Sequence, residues 1–203
     1  MKSVARALAP LALAFAAGCF TAGGPAAKCW TISADGEAAS YRPEGGVPAE
    51  FPVTRLGPVT VLAPYDVRTM CVLRSDGSLA FDAYNQFAAQ PAQLLRNALL
   101  GALEGDGRFG SVVNTTSTAA PAAVVEVLVS ELALDCRSDG VRMARMALRV
   151  DVIAQRGGVR DVVRTGRGAG SADAADGNYS AAFTAAASSA MRAALADMSG
   201  GTP

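Results

Sequence analysis

Three consecutive segments in the second half of the chain alternate apolar and polar residues, and this pattern restricts the fold most strongly. They are residues 124–134, 143–153 and 159–167, joined by turn-forming residues at 138–140 and 155–158. A two-residue period places one side of each strand in the core and the other in water, so we predict neighbouring antiparallel strands. The apolar positions change parity near Ser130 and Glu131, which predicts a β-bulge or a change of the buried face there.

The first half of the chain contains one strong hairpin signal. Asp76-Gly77 separates residues 70–74 from residues 79–84, and this dipeptide is typical of turns that require positive φ. Shorter strands are predicted at residues 28–33, 59–63 and 109–113. Residues 34–58 are rich in Gly, Pro, Ala and Glu without a clear period, and they predict a long loop.

Two segments have the three- and four-residue apolar spacing of amphipathic helices. The first begins near Pro91, where the missing N–H costs nothing, and stops at Gly105. The second is capped by Asn178 and ends at Gly200-Gly201. Its expected buried stripe is Tyr179, Phe183, Ala187, Ala190, Ala194, Leu195 and Met198. We therefore predict an α+β fold over residues 28–203: a single domain with a mainly antiparallel sheet and two principal helices packed on one face.

The N-terminal residues are typical of an exported, lipid-modified protein. Lys2 and Arg6 precede an apolar run at residues 7–17 that is too short to cross a bilayer. The run ends in Ala16-Ala17-Gly18-Cys19, which looks like the lipobox of bacterial lipoproteins. In such proteins lipid is attached to the cysteine, and cleavage leaves that cysteine as the new N-terminus.

This motif predicts a lipoprotein signal peptide at residues 1–18 and a flexible tether at residues 19–27. The alternative is ordinary signal-peptide cleavage nearby, with Cys19 unmodified. In the sorting rule that accompanies the lipobox, an aspartate after the cysteine retains a lipoprotein in the inner membrane. Phe20 stands at that position, which favours the outer membrane.

The composition excludes several functions. The chain has no histidine, so Ser-His-Asp and Cys-His nucleophile activation and histidine-ligated zinc are excluded. Eighteen basic residues balance eighteen acidic ones, which leaves no basic excess for binding nucleic acid. An enzyme would have to use Asp, Glu, Lys, Tyr or Cys, and the visible aspartates lie mostly in turns without the spacing of a calcium loop.

The cysteines that follow the lipobox are candidates for one disulfide. Cys29, Cys71 and Cys136 would lie in an oxidising envelope compartment, and the sequence does not choose between the pairs. Their spacing matches no metal motif, so we predict no metal site. The preferred interpretation is that they are small buried residues on strands, with one optional bridge.

Two further patterns have competing interpretations. Gly166, Gly168 and Gly170 alternate but lack the strand–turn–helix context of a phosphate loop, so we expect a flexible loop, continuing to residue 177. Arginines recur on the last predicted strands, at positions 142, 145, 149, 160, 164 and 167. They would steer lipid phosphates or an acidic partner, or else form a solvated edge that prevents aggregation, and the second interpretation is preferred.

The order of these features resembles the ABC-type transport auxiliary lipoprotein family, which is typified by paraquat-inducible protein C. The resemblance rests on Cys19, Cys29-Trp30, the strand and proline at 59–64, the hairpin at 70–84, the helix start at 87–91, the strand at 125–129 and the small-residue helix at 181–198. It covers nearly the whole chain after the signal peptide. The family commonly has tryptophan where Phe87 stands and a Leu-Asp-Arg run where residues 65–68 stand.

The resemblance implies a non-enzymatic envelope component of a lipid-transport system. Its partner would be an MCE-domain protein of an ABC lipid transporter, held or received at the periplasmic face of the outer membrane, and homo-oligomers are plausible. It would need no cofactor other than the covalent diacylglycerol and N-acyl (palmitate-type) lipid on Cys19. The candidate partner contacts are Tyr84, Phe87, Arg160 and Arg164.

Two other functions compete with this one. The first is an outer-membrane assembly lipoprotein that partners a β-barrel of the lipopolysaccharide-export type. The second is a periplasmic enzyme using Asp/Glu acid–base chemistry, which would need candidate pairs to converge in one pocket.

Overall fold

The computed structural model describes residues 26–33, 49–156 and 158–200. In chain order the strands are β1 (Lys28–Trp30), β2 (Phe51–Val61), β3 (Thr69–Arg74), β4 (Leu79–Phe87), β5 (Phe109–Val113), β6 (Ala123–Cys136), β7 (Met143–Arg156) and β8 (Val159–Asp173). The helices are α1 (Pro91–Gly105), between β4 and β5, and α2 (Tyr179–Gly200), after β8. The predicted signal peptide at residues 1–18 lies outside the described residues, as does Cys19.

The eight strands form one mixed sheet that forks at β6. One edge of β6 pairs with β7, which pairs with β8, and these two longest ladders are antiparallel. The other edge of β6 pairs in parallel with β2 along its first half and with β3 at its end. Beyond β2 lies β5, and beyond β3 lies β4, which in turn pairs with β1. The α+β class is confirmed.

The fork coincides with an irregularity in β6. The β6–β7 register shifts between Val129 and Glu131, where the sequence predicts a bulge. The β2 ladder ends at Val129 and the β3 ladder begins at Leu134. A bulge bends its strand and increases the local twist, so one strand can serve two different neighbours along the same edge.

Both helices pack against the sheet and against each other, with α1 on β2 and β5 and α2 on β7 and β8. Pro91 lies at the start of α1, and Asn178 Oδ1 accepts a hydrogen bond from the Ala181 N–H at 3.2 Å to cap α2. The sequence-predicted stripe of α2 is buried throughout. Aromatic pairs join the layers: the Phe87 ring meets Phe183 edge-on, with centroids 5.2 Å apart.

Two loops predicted from the sequence are partly strand. Residues 51–58 belong to β2, where Phe51 and Leu56 are buried and the Arg96 guanidinium donates to the Leu56 and Gly57 carbonyls at 2.7 and 2.8 Å. The prediction failed because a β-bulge at Gly57 and Pro58 interrupts the two-residue alternation of buried and exposed positions. Residues 34–48 lie outside the described residues.

The alternating glycines form a strand, and the flexible loop expected there is wrong. β8 continues to Asp173 and pairs with β7 along its whole length. A Cβ at Gly166, Gly168 or Gly170 would overlap backbone atoms of α2 at Ala194, Ala190 or Ala186 respectively. These glycines therefore allow close helix-on-sheet contact, a requirement of tertiary packing that strand propensity does not show.

Candidate functional site

The four predicted partner contacts differ in their exposure to solvent. Tyr84 is exposed, with 53% of its surface accessible, and Arg160 is also exposed. Arg164 is half-buried. Phe87 is 2% exposed and packs on Phe183 in the core, so the prediction of Phe87 as a partner contact is wrong. The aromatic residue at this position holds α2 on the sheet.

The exposed candidates lie at two distant places. We name the first the aromatic surface: Phe81 and Tyr84 on β4, with the residues that line the depression between them. We name the second the hairpin tip: Val159, Arg160, Val162 and Arg164 on β8. Asp82 pairs with Met70 on β3. Extending the β3–β6 register by two residues places Met70 level with Leu132, which pairs with Met146 on β7. Arg156, at the end of β7, is ten residues further on, or about 33 Å.

The hairpin tip carries apolar side chains on an edge strand. Val159 is 59% exposed and Val162 is 58% exposed. Within the described residues β8 pairs with β7 only. The Arg164 guanidinium donates to Glu50 Oε1 at 3.2 Å, which anchors the base of the tip. An exposed edge that combines valines and cations is a surface to which a partner strand can add.

The remainder of β8 is covered differently. The Arg167 N–H donates to Asp197 Oδ2 at 2.8 Å, and α2 packs against the glycines from Gly166 to Gly170. The helix thus protects the second half of β8 and leaves the first half accessible.

The aromatic surface is formed by an irregularity in β4. The β3–β4 register shifts between Thr69 and Met70. As a result, residues 83–85 of β4 have no partner on β3. Next to them, the Asp82 carboxylate accepts hydrogen bonds from the Tyr84 N–H (2.8 Å), the Asn85 N–H (3.1 Å) and Asn85 Nδ2 (2.8 Å). This bulge turns Phe81 and Tyr84 toward the same open depression of about 380 Å³. Its other lining residues are Val72, Arg74, Ala80, Asp82 and Ala83.

Sequence reasoning missed Phe81. The residue lies in the predicted strand next to a strong turn, where an aromatic residue is ordinarily half-buried. It is 53% exposed, whereas its cross-strand neighbour Cys71 is buried. The available signal was its position on a hairpin at the margin of the sheet.

Three arginines of the sheet, Arg145, Arg149 and Arg164, form ion pairs with described residues. Arg145 contacts Glu131 at 3.3 Å and Asp135 at 3.0 Å, and Arg149 contacts Asp151 at 2.9 Å. Asp135 also accepts three hydrogen bonds from Arg137, one from its backbone N–H and two from its guanidinium. Hydrogen bonds from Arg137, and then from Arg145, hold the pKa of Asp135 well below its usual range. This supports the interpretation of these arginines as a solvated, paired face.

The three described cysteines are free thiols. Cys71 is buried, and burial raises the pKa of its thiol to about 11. Cys136 lies opposite Arg74, three residues along β3 from Cys71, which separates the two by about 10 Å along the strand. A disulfide spans at most about 7 Å between Cα atoms, so a Cys71–Cys136 bridge would need the strands to shift.

The described residues offer little for metal chemistry or membrane crossing. No group of three or more Cys, Asp or Glu side chains among them is placed to hold a metal ion. Within the same part of the chain, no helix is both long and apolar enough to span a bilayer.

Fold and surfaces together define an α+β domain whose accessible features suit binding to other surfaces. The family model of the ABC-type transport auxiliary lipoprotein component matches residues 31–199, and the chain belongs to this family. The family is an auxiliary component of ABC-type transport and is composed of lipoproteins, which indicates a membrane-anchored place in the cell envelope.

The chain is similar to several solved structures, and the first of these supports the fold. The crystal structure of protein XCC0632 from Xanthomonas campestris, assigned to a family of unknown function, is 13% identical with a TM-score of 0.61, over 79% of this chain and 88% of that one. An uncharacterised protein is 14% identical with a TM-score of 0.44, over 70% and 80%. The hypothetical protein CT253 from Chlamydia trachomatis is 10% identical with a TM-score of 0.46, over 72% and 92%. No curated protein is similar to the chain.

Proposed function

We propose that this protein is a non-catalytic docking component of an ABC/MCE-type lipid transport system, anchored through lipid on Cys19 at the periplasmic face of the outer membrane. Membership of the transport auxiliary family supports the role in transport. The lipobox-like Ala16-Ala17-Gly18-Cys19 followed by Phe20 supports the anchor and its destination. The partner would be the MCE-domain protein of the transporter.

The observation that carries the docking role is the hairpin tip. Val159 and Val162 are each more than half exposed on an edge strand, whereas α2 packs on one face of that strand from Gly166 to Gly170. Exposed valines lose their contact with water when a partner covers them, at about 25 cal/mol per Å² of apolar surface. Arg160 beside them adds an exposed cation that selects an acidic or polar partner edge.

The test is co-purification of the full chain with an MCE-domain protein of an ABC lipid transporter. We expect Val159→Glu combined with Val162→Glu to abolish recovery of the partner, because two buried carboxylates would be introduced into the contact. Ala169→Glu is the matched control, since Ala169 is exposed on the same strand away from the tip. Unchanged recovery of the partner with the double variant would contradict a docking role of the hairpin tip.

The anchor is tested separately by fractionation. Cys19→Ser should move the protein from the membrane to the soluble periplasmic fraction. Mass spectrometry of the mature wild-type protein should show Cys19 as an acylated N-terminal residue. An unmodified Cys19 would contradict the anchor without bearing on the hairpin tip.

A further inference from the structure

The described chain enters the fold beside the aromatic surface. β1 pairs in parallel with β4, with Lys28 opposite Asn85 and Trp30 opposite Phe87. Ala27 therefore lies level with Tyr84, on the side of β4 that leads back to Phe81. The chain that precedes residue 27 therefore joins the domain next to the aromatic surface.

The distance available to the anchor is short. Cys19 precedes Ala27 by eight residues, and eight extended residues span at most about 28 Å. A lipid on Cys19 thus restricts the aromatic surface to the neighbourhood of the bilayer. The hairpin tip lies about 33 Å further along the strands, on the opposite edge of the sheet.

The chemistry of the aromatic surface fits a bilayer interface. Phe81 and Tyr84 are each 53% exposed, and a tyrosine has an apolar ring with a polar tip, as residues at the headgroup level do. Arg74 lines the same depression and Lys28 is exposed on the adjacent strand, which provides cations for phosphate groups. The nearby Asp82 carboxylate already accepts three hydrogen bonds from its own chain.

We infer that the aromatic surface rests on the headgroup region of the bilayer that holds the lipid anchor. Phe81 and Tyr84 insert at the boundary between headgroups and acyl chains, and the hairpin tip is directed away from the membrane. This inference rests on the proposed lipidation of Cys19, and it assigns the occupant of the depression as phospholipid.

The test uses the full lipidated protein in vesicles of phosphatidylethanolamine and phosphatidylglycerol, compared with the same protein in detergent. Amide hydrogen exchange of residues 79–84 should slow severalfold in vesicles, because lipid covers this strand. Exchange of residues 159–165 should not change. Phe81→Ser combined with Tyr84→Ser should abolish the slowing, whereas the matched pair Val159→Ser and Val162→Ser should retain it.

A second readout needs no variant. Trp30 is the single tryptophan of the chain, and its Nε1 donates to Asn85 Oδ1 at 2.9 Å, next to Tyr84. Lipids that carry a doxyl group near the headgroup should quench its fluorescence in vesicles. Absence of quenching together with unchanged exchange at residues 79–84 would overturn the inference.

The outcomes separate this inference from the proposed function. Protein that fails to float with the vesicles contradicts the lipid anchor. Protein that floats while residues 79–84 exchange as in detergent contradicts only the membrane contact. Slowing that requires addition of the MCE-domain protein would assign the aromatic surface to that partner and overturn the assignment to phospholipid.

Discussion

Gly168 on β8 and Ala190 on α2 approach so closely that a Cβ on the glycine would overlap the Ala190 carbonyl oxygen. We expect Gly168→Ala to lower the free energy of unfolding by about 1–3 kcal/mol, because the helix must move off the sheet. Urea denaturation of the purified protein measures this loss. Ala169→Ser, at the exposed neighbouring position, should change stability by less than about 0.5 kcal/mol. Equal stability of Gly168→Ala and wild type would mean that the contact is not close.

Phe87 and Tyr84 are near in sequence but differ in burial, so their substitutions should differ in cost. Phe87→Ala removes a ring that is 2% exposed and in edge-on contact with Phe183, which should cost about 3–5 kcal/mol. Tyr84→Ala, at a residue that is 53% exposed, should cost no more than about 0.5 kcal/mol. Thermal or urea unfolding of the two variants measures these losses of stability. Similar losses for both variants would show that Phe87 is not a core residue.

Asp135 should make stability depend on acidity. Hydrogen bonds from Arg137, and then from Arg145, lower its pKa in the folded state. Its contribution is therefore fully present above the unfolded pKa of about 3.9 and is lost as the pH falls below that value. Asp135→Asn should be less stable than wild type at pH 7, and this difference should shrink toward pH 3.

The control for this prediction is Asp139→Asn, since Asp139 is exposed in the turn that follows β6. The urea midpoint of each protein is measured from pH 7 to pH 3. A constant difference in urea midpoint between wild type and Asp135→Asn over that range would show that Arg137 does not lower the pKa of the Asp135 carboxyl.

Thiol reactivity should divide the described cysteines. Burial raises the pKa of Cys71 to about 11, so at pH 8 only about one molecule in a thousand carries its thiolate. Iodoacetamide should modify the exposed Cys29 in the folded protein and reach Cys71 only after unfolding in urea. Peptide mass spectrometry identifies the labelled residue. Rapid labelling of Cys71 in native buffer would contradict its burial.

The sequence predicted the local elements well where one physical signal dominated. Asp76-Gly77 predicted the β3–β4 hairpin, and Gly77 has φ of 80°. Pro91 and Asn178 marked the starts of both helices. The change of apolar parity at Ser130-Glu131 predicted the bulge in β6. Each signal acts over a few residues, which is the range that a sequence shows directly.

The sequence misled where distant segments decide the local structure. Gly166, Gly168 and Gly170 have low strand propensity, yet they form a strand because only glycine admits α2 at this distance. A phenylalanine at position 87 is equally compatible with a surface contact and with a core position. Its burial depends on Phe183, almost a hundred residues later in the chain.

The sequence by itself determined the α+β class, the location of most strands and helices, the lipobox-like motif and the resemblance to the family that the chain belongs to. Only the tertiary structure decided that β6 serves β2 and β3 in succession, and that Tyr84 and Arg160 lie at separate ends of the sheet. The physical reason is that periodicity and turn chemistry act between neighbours along the chain. Strand order and exposure depend on pairing and packing between residues that the chain brings together only when it folds.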